Sequence, residues 1–222
     1  MKASFFDVDG TLVRTNLVHP TWFYLTHQRS PWSSMARVAK TLARAPLLAL
    51  SERADRRLFN ERLFEAYAGM SHDRLHLLAD EAYETVLKPA LYKGARDLVQ
   101  RSVQEGHRVV LVSGALDFLM QRLARDVGAH DVIANTLEMQ RNQATGKLVP
   151  PVVAGPEKAA LLRRYAQQRA LDLGQCHAYS DSYSDVPMLS VVGHPVAVNP
   201  DTKLRTLAAT YQWPVLELRD AS

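Results

Sequence analysis

At 222 residues, with 47% hydrophobic and 23% charged side chains, the chain is long enough for a sizeable core and too apolar to remain disordered. The formal charge of +4 suits anionic small ligands and by itself is too weak to point to nucleic acid. The single cysteine, Cys176, excludes a disulfide framework and any cysteine-based zinc or iron–sulfur centre.

No apolar run reaches the ~18 residues that a membrane span requires. The longest candidate, residues 45–50, is interrupted by Pro46. Two acids fall within the first nine residues, so the N-terminus does not read as a secretory signal. The expectation is a cytoplasmic protein with no stable membrane insertion, no nucleic-acid partner, and an oligomeric state left open.

Residues 3–8 form a short apolar run ending in acids and Gly10, which predicts a buried strand feeding a loop. From about residue 20 to 87 the apolar residues take helical spacing. Leu58, Leu63, Phe64 and Tyr67 make one stripe, and Leu75, Leu78, Ala79 and Ala82 another. Ser71 before Asp73 and Arg74 predicts a helix start. Pro31, Pro46 and the Gly69-Met70-Ser71 stretch punctuate the region, which reads as a bundle of roughly four helices.

Beyond Pro89 the pattern alternates. Helices are predicted at 94–104, 118–127, 157–170, 186–191 and 202–211. Strands are predicted at 108–112, 131–134, 177–179, 195–198 and 215–218, and residues 136–150, with Asn142 and Gly146, suggest a β-hairpin. Alternation of this kind implies an α/β fold: a Rossmann-like, doubly wound parallel sheet with helices on both faces. Since the first strand belongs to that sheet, the helical region is an insertion. The expected division is a core of residues 1–16 and 89–222 with a helical cap of residues 17–88.

The string Asp7-Val8-Asp9-Gly10-Thr11 carries the most chemistry. In an extended segment, residues two apart point the same way, so Asp7 and Asp9 share a small volume at the carboxyl end of a buried strand. Open α/β sheets bind ligands at that end. Two carboxylates there repel and lose solvation, and a hard, oxygen-seeking cation such as Mg²⁺ offsets that cost. A carboxylate beside such a cation can attack phosphorus, while a second acid protonates the leaving alkoxide and then deprotonates water. Gly10 lets the main chain approach a phosphate, and Thr11 adds a hydroxyl and an amide. A surface Asp-x-Asp-Gly turn is the plain alternative.

Three later strings bear on the same chemistry. Residues 109–112 lead into Ser113-Gly114-Ala115, a hydroxyl with free amides. Gly155-Pro156-Glu157-Lys158 opens a helix, and a lysine in a first turn opposes the helix dipole unless it pairs with something negative. Asp181 and Asp185 follow the strand predicted at 177–179. Asp181 is a candidate metal ligand, and Asp185 a helix cap and supporting group.

Together, Asp7-x-Asp9-Gly-Thr, Ser113, Lys158 and Asp181-x-x-x-Asp185 resemble, in order, the four motifs of the haloacid dehalogenase superfamily. The helical insertion resembles the cap of its phosphoserine-phosphatase-like branch. The resemblance implies Asp7 as nucleophile, Asp9 as general acid and base, and Lys158 as charge neutraliser. It further implies phosphate contacts from Thr11, Ser113 and Gly114, and Mg²⁺ on Asp7, the Asp9 carbonyl and Asp181, with Asp185 supporting that shell. The function it implies is a Mg²⁺-dependent phosphatase acting on a small phosphomonoester through an aspartyl-phosphate, with histidinol phosphate or phosphoserine as leading substrates. Asn16 stands where phosphoserine phosphatases carry a glutamate that meets the substrate ammonium, and a neutral amide does not pair with a cation as a carboxylate does.

The cap sets the substrate. Residues 29–57 hold seven basic and two acidic residues, together with Pro46-Leu47-Leu48-Ala49-Leu50. Such a basic, apolar segment suits either a solvated cap face or a membrane surface. It raises the alternative of a phospholipid-headgroup phosphatase working at the membrane. Trp22, Phe23 and Tyr24 are candidates for the core or for the pocket wall.

Overall fold

The computed structural model describes residues 2–27 and 30–218. Arg29, counted above in the basic segment, lies outside them. The sheet has six parallel strands: β1 (Ala3–Asp7), β2 (Arg108–Leu116), β3 (Asp131–Asn135), β6 (His177–Ser180), β7 (His194–Val198) and β8 (Val215–Leu216). A separate antiparallel hairpin is formed by β4 (Leu137–Gln140) and β5 (Gln143–Leu148). The sheet order is β3-β2-β1-β6-β7-β8, so β1 is central, with β2 on one side and β6 on the other.

Alternation along the strands sorts the core into two faces, as the period of two requires. Phe6, Val109 and Leu111 join one apolar cluster with α6 (Ala95–Gln104) and α7 (Asp117–Val127). Ala3, Phe5, Val110, Val112 and Ala178 join the other. That second face is covered by α8 (Pro156–Gln168), α9 (Val186–Leu189) and α10 (Thr202–Tyr211). Burial on both faces explains why these strands read as continuous apolar runs.

Between β1 and α6 the described chain carries five α-helices: α1 (Val18–Thr26), α2 (Pro31–Ala43), α3 (Ala45–Ala54), α4 (Arg56–Phe64) and α5 (His72–Ala82). Five α-helices thus stand where the apolar spacing suggested about four. The chain breaks at Arg44 (φ −96°, ψ −4°), and Pro46 sits in the first turn of α3, where its missing N–H does no harm. Ser71 caps α5 as predicted, accepting from the Arg74 amide at 3.3 Å. Phe23 and Tyr24 are core residues, whereas Trp22 is 44% exposed. The hairpin turns through Arg141 and Asn142, both at positive φ, as a two-residue turn demands. It is tied to the cap by main-chain bonds from Gly69 to Ala144 (2.7 Å), Ala144 to Met70 (2.8 Å) and His72 to Asn142 (3.0 Å).

One strand differs from expectation in a way that matters. β2 runs on to Leu116, with a register shift against β3 between Val112 and Leu116. Ser113 and Gly114, expected just past a strand ending at Val112, therefore lie inside the distorted end of the strand itself.

Candidate active site

Asp7 ends β1 with the same parity as Ala3 and Phe5, so it faces the side covered by α8. Lys158, in the first turn of α8, reaches it there: Nζ lies 2.6 Å from Asp7 Oδ1 and 2.7 Å from Asp185 Oδ2. All three side chains are buried. The unfavourable dipole position of Lys158 is thus answered by two carboxylates. Burial alone would lower its pKa, but Asp185 and Asp7 outweigh that and raise it, so the ammonium stays charged.

Thr11 Oγ1 lies 3.0 Å from Asp7 Oδ2 and 3.2 Å from Asp181 Oδ1. One hydroxyl proton is shared between two carboxylates. Gly10 permits this closeness. It sits at φ +87°, and a Cβ there would fall 2.1 Å from Asp181 Oδ2. The glycine thus makes room for a carboxylate. The Ser113 hydroxyl donates to Asp9 Oδ2 at 3.2 Å and accepts from the Ala115 amide at 2.9 Å. Thr11 and Ser113 are fully buried, and their hydroxyls are engaged with the site's own acids.

Asp185 begins α9, but its carboxylate makes no capping bond. It is taken up by Lys158 and by Ser180, whose Oγ donates at 2.8 Å. The capping role expected of it is not realised, because a buried ammonium is a stronger partner than a main-chain amide.

Burial shifts the titration of these acids. For Asp7 it outweighs the attraction of Lys158 and raises the pKa. Burial and then the neighbouring charge of Asp7 push Asp9 up to about 7, against Lys158, the Ser113 hydroxyl and Arg56. Burial, Asp7 and Asp185 push Asp181 up to about 8. Four acids therefore crowd around one lysine, and the local charge is unbalanced toward negative. A cation corrects that imbalance, and the donor atoms on offer are all oxygens, which suits a hard ion such as Mg²⁺. Among the described residues, no three His, Cys, Asp or Glu side chains form a ready cage. The carboxylates lining the cavity are those of Asp7, Asp9, Asp181 and Asp185.

These groups open on a cavity of about 60 Å³, small beside the ~300 Å³ or more of a drug-sized pocket. Asp7, Asp9, Gly114, Lys158, Asp181 and Asp185 line its sheet side, and Asn16, Leu17, Arg56, Phe59 and Asn60 line its cap side. The sequence reading missed Arg56, Phe59 and Asn60. Their signal was faint: Arg56 and Asn60 are one helical turn apart at the start of α4, behind the Asp55 cap. Asn60 Nδ2 would lie 2.9 Å from a Cβ at Gly114, so that glycine admits the cap. Asn16 lines the cavity, but its Oδ1 accepts from the Val18 amide at 3.1 Å and lies 3.0 Å from His19 Nδ1. It starts a helix as well as facing the site.

A sequence model of the haloacid dehalogenase-like hydrolases matches residues 4–190. The phosphoserine phosphatase SerB1 of Mycobacterium tuberculosis is 32% identical over 220 residues, covering 99% of this chain and 71% of that protein. A phosphoserine phosphatase of Streptococcus thermophilus is 30% identical over 192 residues, covering 86% and 80% respectively. Among solved structures, a protein of unknown function from Bordetella pertussis matches with a TM-score of 0.83 at 25% identity over 98% of both chains. A substrate-bound phosphoserine phosphatase matches with a TM-score of 0.69 at 17% identity, over 97% of this chain and 92% of that one, a likeness of fold. This chain belongs to the haloacid dehalogenase-like hydrolases, in their phosphoserine-phosphatase-like branch.

Proposed function

We propose that this phosphatase of the haloacid dehalogenase family hydrolyses a small phosphomonoester through an aspartyl-phosphate on Asp7. The observation that carries the reading is the buried Asp7–Lys158–Asp185 cluster with Asp9 beside it, at the wall of a cavity with room only for a small group. An Asp7 carboxylate oxygen bonds to phosphorus as the ester oxygen departs, and Asp9 gives that oxygen its proton. Asp9 then takes a proton from water, whose oxygen attacks the phosphorus and returns the Asp7 carboxylate. A pKa of about 7 suits a group that must both give and take a proton near neutrality. Lys158 holds Asp7 in place and offsets phosphate charge, and Asp185, itself held by the Ser180 hydroxyl, holds Lys158. Thr11 and Ser113 orient the acids through their hydroxyls, and of the three expected phosphate contacts only Gly114 lines the cavity, where its main chain can meet phosphate oxygens.

Asp7, the Asp9 carbonyl and Asp181 would hold Mg²⁺. When bound, the ion supplies neutralisation of phosphate charge during nucleophilic attack. The cap side of the cavity presents Arg56 and two amides, Asn16 and Asn60, with every lining carboxylate on the sheet side. Such a wall favours a substrate with a negative or polar substituent beyond the phosphate. Among amino-acid and amino-alcohol phosphates, this wall puts phosphoserine, which carries a carboxylate, ahead of histidinol phosphate, which carries none, and the relatives named phosphoserine phosphatase support that order. The test is phosphate release from a panel of phosphorylated metabolites with and without Mg²⁺. Selective turnover of one small monoester supports the reading, and absence of release from every monoester, an aryl phosphate included, overturns it.

A further inference from the structure

α2 is an inside-out helix. Its protein-facing side carries Ser34, Arg37, Val38 and Thr41, whereas Trp32, Met35, Ala36, Ala39, Leu42 and Ala43 are exposed. Trp32 is 78% exposed, Met35 62% and Leu42 57%. The apolar surface continues onto α3, where Ala45, Pro46, Leu47, Ala49 and Leu50 are exposed, and onto Val18 and Trp22 of α1. On one flank lies an apolar groove of about 240 Å³ between Trp22, Leu42, Ala45 and Ala49. On the other is a pocket lined by four cations, Arg37, Lys40, Arg44 and Arg62, and one acid, Glu65. The Arg37 guanidinium is anchored on the Ala66 and Ala68 carbonyls at 3.2 and 2.8 Å. From Gly10 to Ser51 the sequence has no acidic residue and five arginines and lysines. A contiguous exposed apolar surface marks a contact site rather than a solvated face.

We propose that the α2–α3 corner docks on an anionic lipid bilayer. The charge pattern selects this occupant. The one acid at the corner, Glu65, is already paired with Arg44 at 2.5 Å, so two copies of the chain pairing through the corner would bring a net cationic surface against itself, a repulsive arrangement. An anionic bilayer takes both halves of the pattern. Trp32, Met35, Leu42 and Leu50 enter the headgroup–acyl boundary, and Lys40 meets lipid phosphates, as in helices that lie in the interface plane. No helix among the described residues is long and apolar enough to cross a membrane, so the contact is peripheral. The inference does not depend on the substrate or on the phosphatase chemistry.

The test is flotation of the full chain with vesicles of phosphatidylcholine alone and of phosphatidylcholine with 30% phosphatidylglycerol, at 50 and 500 mM NaCl, with tryptophan emission recorded. Expected are co-flotation with the anionic vesicles at low salt, a blue shift in emission, and release at high salt. Lys40→Gln weakens binding by about fivefold, near the value of one interfacial cation. Trp32→Ser weakens anionic-vesicle binding further. Both variants keep the far-ultraviolet circular dichroism and aryl-phosphate turnover of the parent. The proposal is overturned by absence of flotation at 50 mM NaCl, by equal binding to neutral and anionic vesicles, or by a solution dimer that Trp32→Ser dissociates without any lipid binding.

Discussion

Each charged group at the sheet's carboxyl edge has a specific partner, and that pairing sets what each can do. Asp7 is tied to both Lys158 and Thr11, so its two oxygens are fixed in orientation. Asn at this position keeps the shape and removes the nucleophile, so Asp7→Asn is expected to abolish phosphate release while the protein stays folded, as measured by phosphate assay alongside circular dichroism. Asp9 must be protonated to assist a leaving alkoxide. With a pKa raised to about 7 by burial and Asp7, that form is lost as pH rises, so kcat/KM for an alkyl phosphate falls above about pH 7. Asp9→Asn lowers kcat by roughly 10²–10⁴-fold and removes that alkaline limb, whereas an aryl phosphate, whose leaving group needs less help, loses much less. Gly10 is held by geometry rather than chemistry. Ala there has both an unfavourable positive φ, costing about 1–2 kcal/mol, and a methyl driven into Asp181. Gly10→Ala is expected to lower Tm by at least about 2–8 °C and to reduce turnover strongly.

At the level of strands and helices, the pairing of sequence pattern with fold succeeds where a local cause is sufficient. α10 has its predicted bounds because Asp201 caps it, its carboxylate accepting from the Leu204 amide. α7 ends at Gly128, which takes the left-handed conformation at φ +80°. The apolar runs that become β1, β2 and β6 are buried on both faces, and in a parallel sheet their carboxyl ends share one edge, so the runs alone suffice to bring Asp7, Ser113 and Asp181 together. What local pattern did not reveal depends on tertiary contacts. Arg56, Phe59 and Asn60 reach the cavity because α4 folds over Gly114, a closeness that no spacing in α4 encodes. The hydroxyls of Thr11 and Ser113 turn to the carboxylates because nearby charge outcompetes the cavity. The sheet's far edge is fastened in the same way: Asp131 at the start of β3 accepts from Arg108 of β2 at 2.5 Å and from Tyr165 of α8 at 2.5 Å. Burial alone would raise the Asp131 pKa, but the bonds from Arg108 and Tyr165 outweigh it and lower it below 3.8. Its contribution is therefore complete above the unfolded value and disappears as pH falls through the lower folded one. Asp131→Asn is expected to cost about 1 kcal/mol at pH 7 in urea unfolding, with the difference from the parent narrowing below about pH 4.

The molecule as a whole brings together, from three separate chain segments, two pairs of acids and a lysine that the unfolded chain keeps apart. Asp7, Asp9, Asp181 and Asp185 meet Lys158 at the bottom of a cavity roofed by the cap, and the surplus of negative charge is a cost of folding without a cation. The cost has a sign. A carboxyl whose folded pKa is raised, as burial, Asp7 and Asp185 raise that of Asp181 to about 8, holds its proton more tightly in the native state than in the unfolded one. The contribution of Asp181 to stability is then most favourable at low pH and declines as pH rises from the unfolded value of 3.8 toward 8. In a chelator, thermal unfolding is expected at progressively lower temperature between pH 5 and pH 8. Mg²⁺ binds the native arrangement and not the dispersed chain, so at a hundred times its dissociation constant it adds about 2.7 kcal/mol. For a chain of this size that is a rise in Tm of roughly 5–10 °C, larger at pH 8 than at pH 5. Asp181→Asn removes one of the repelling charges and one of the cation's oxygens together. It is therefore expected to be at least as stable as the parent in chelator at pH 8, to gain little from Mg²⁺, and to release phosphate poorly. Differential scanning calorimetry across the two pH values separates these effects, and a parent Tm that is indifferent to Mg²⁺ at pH 8 contradicts the charge argument.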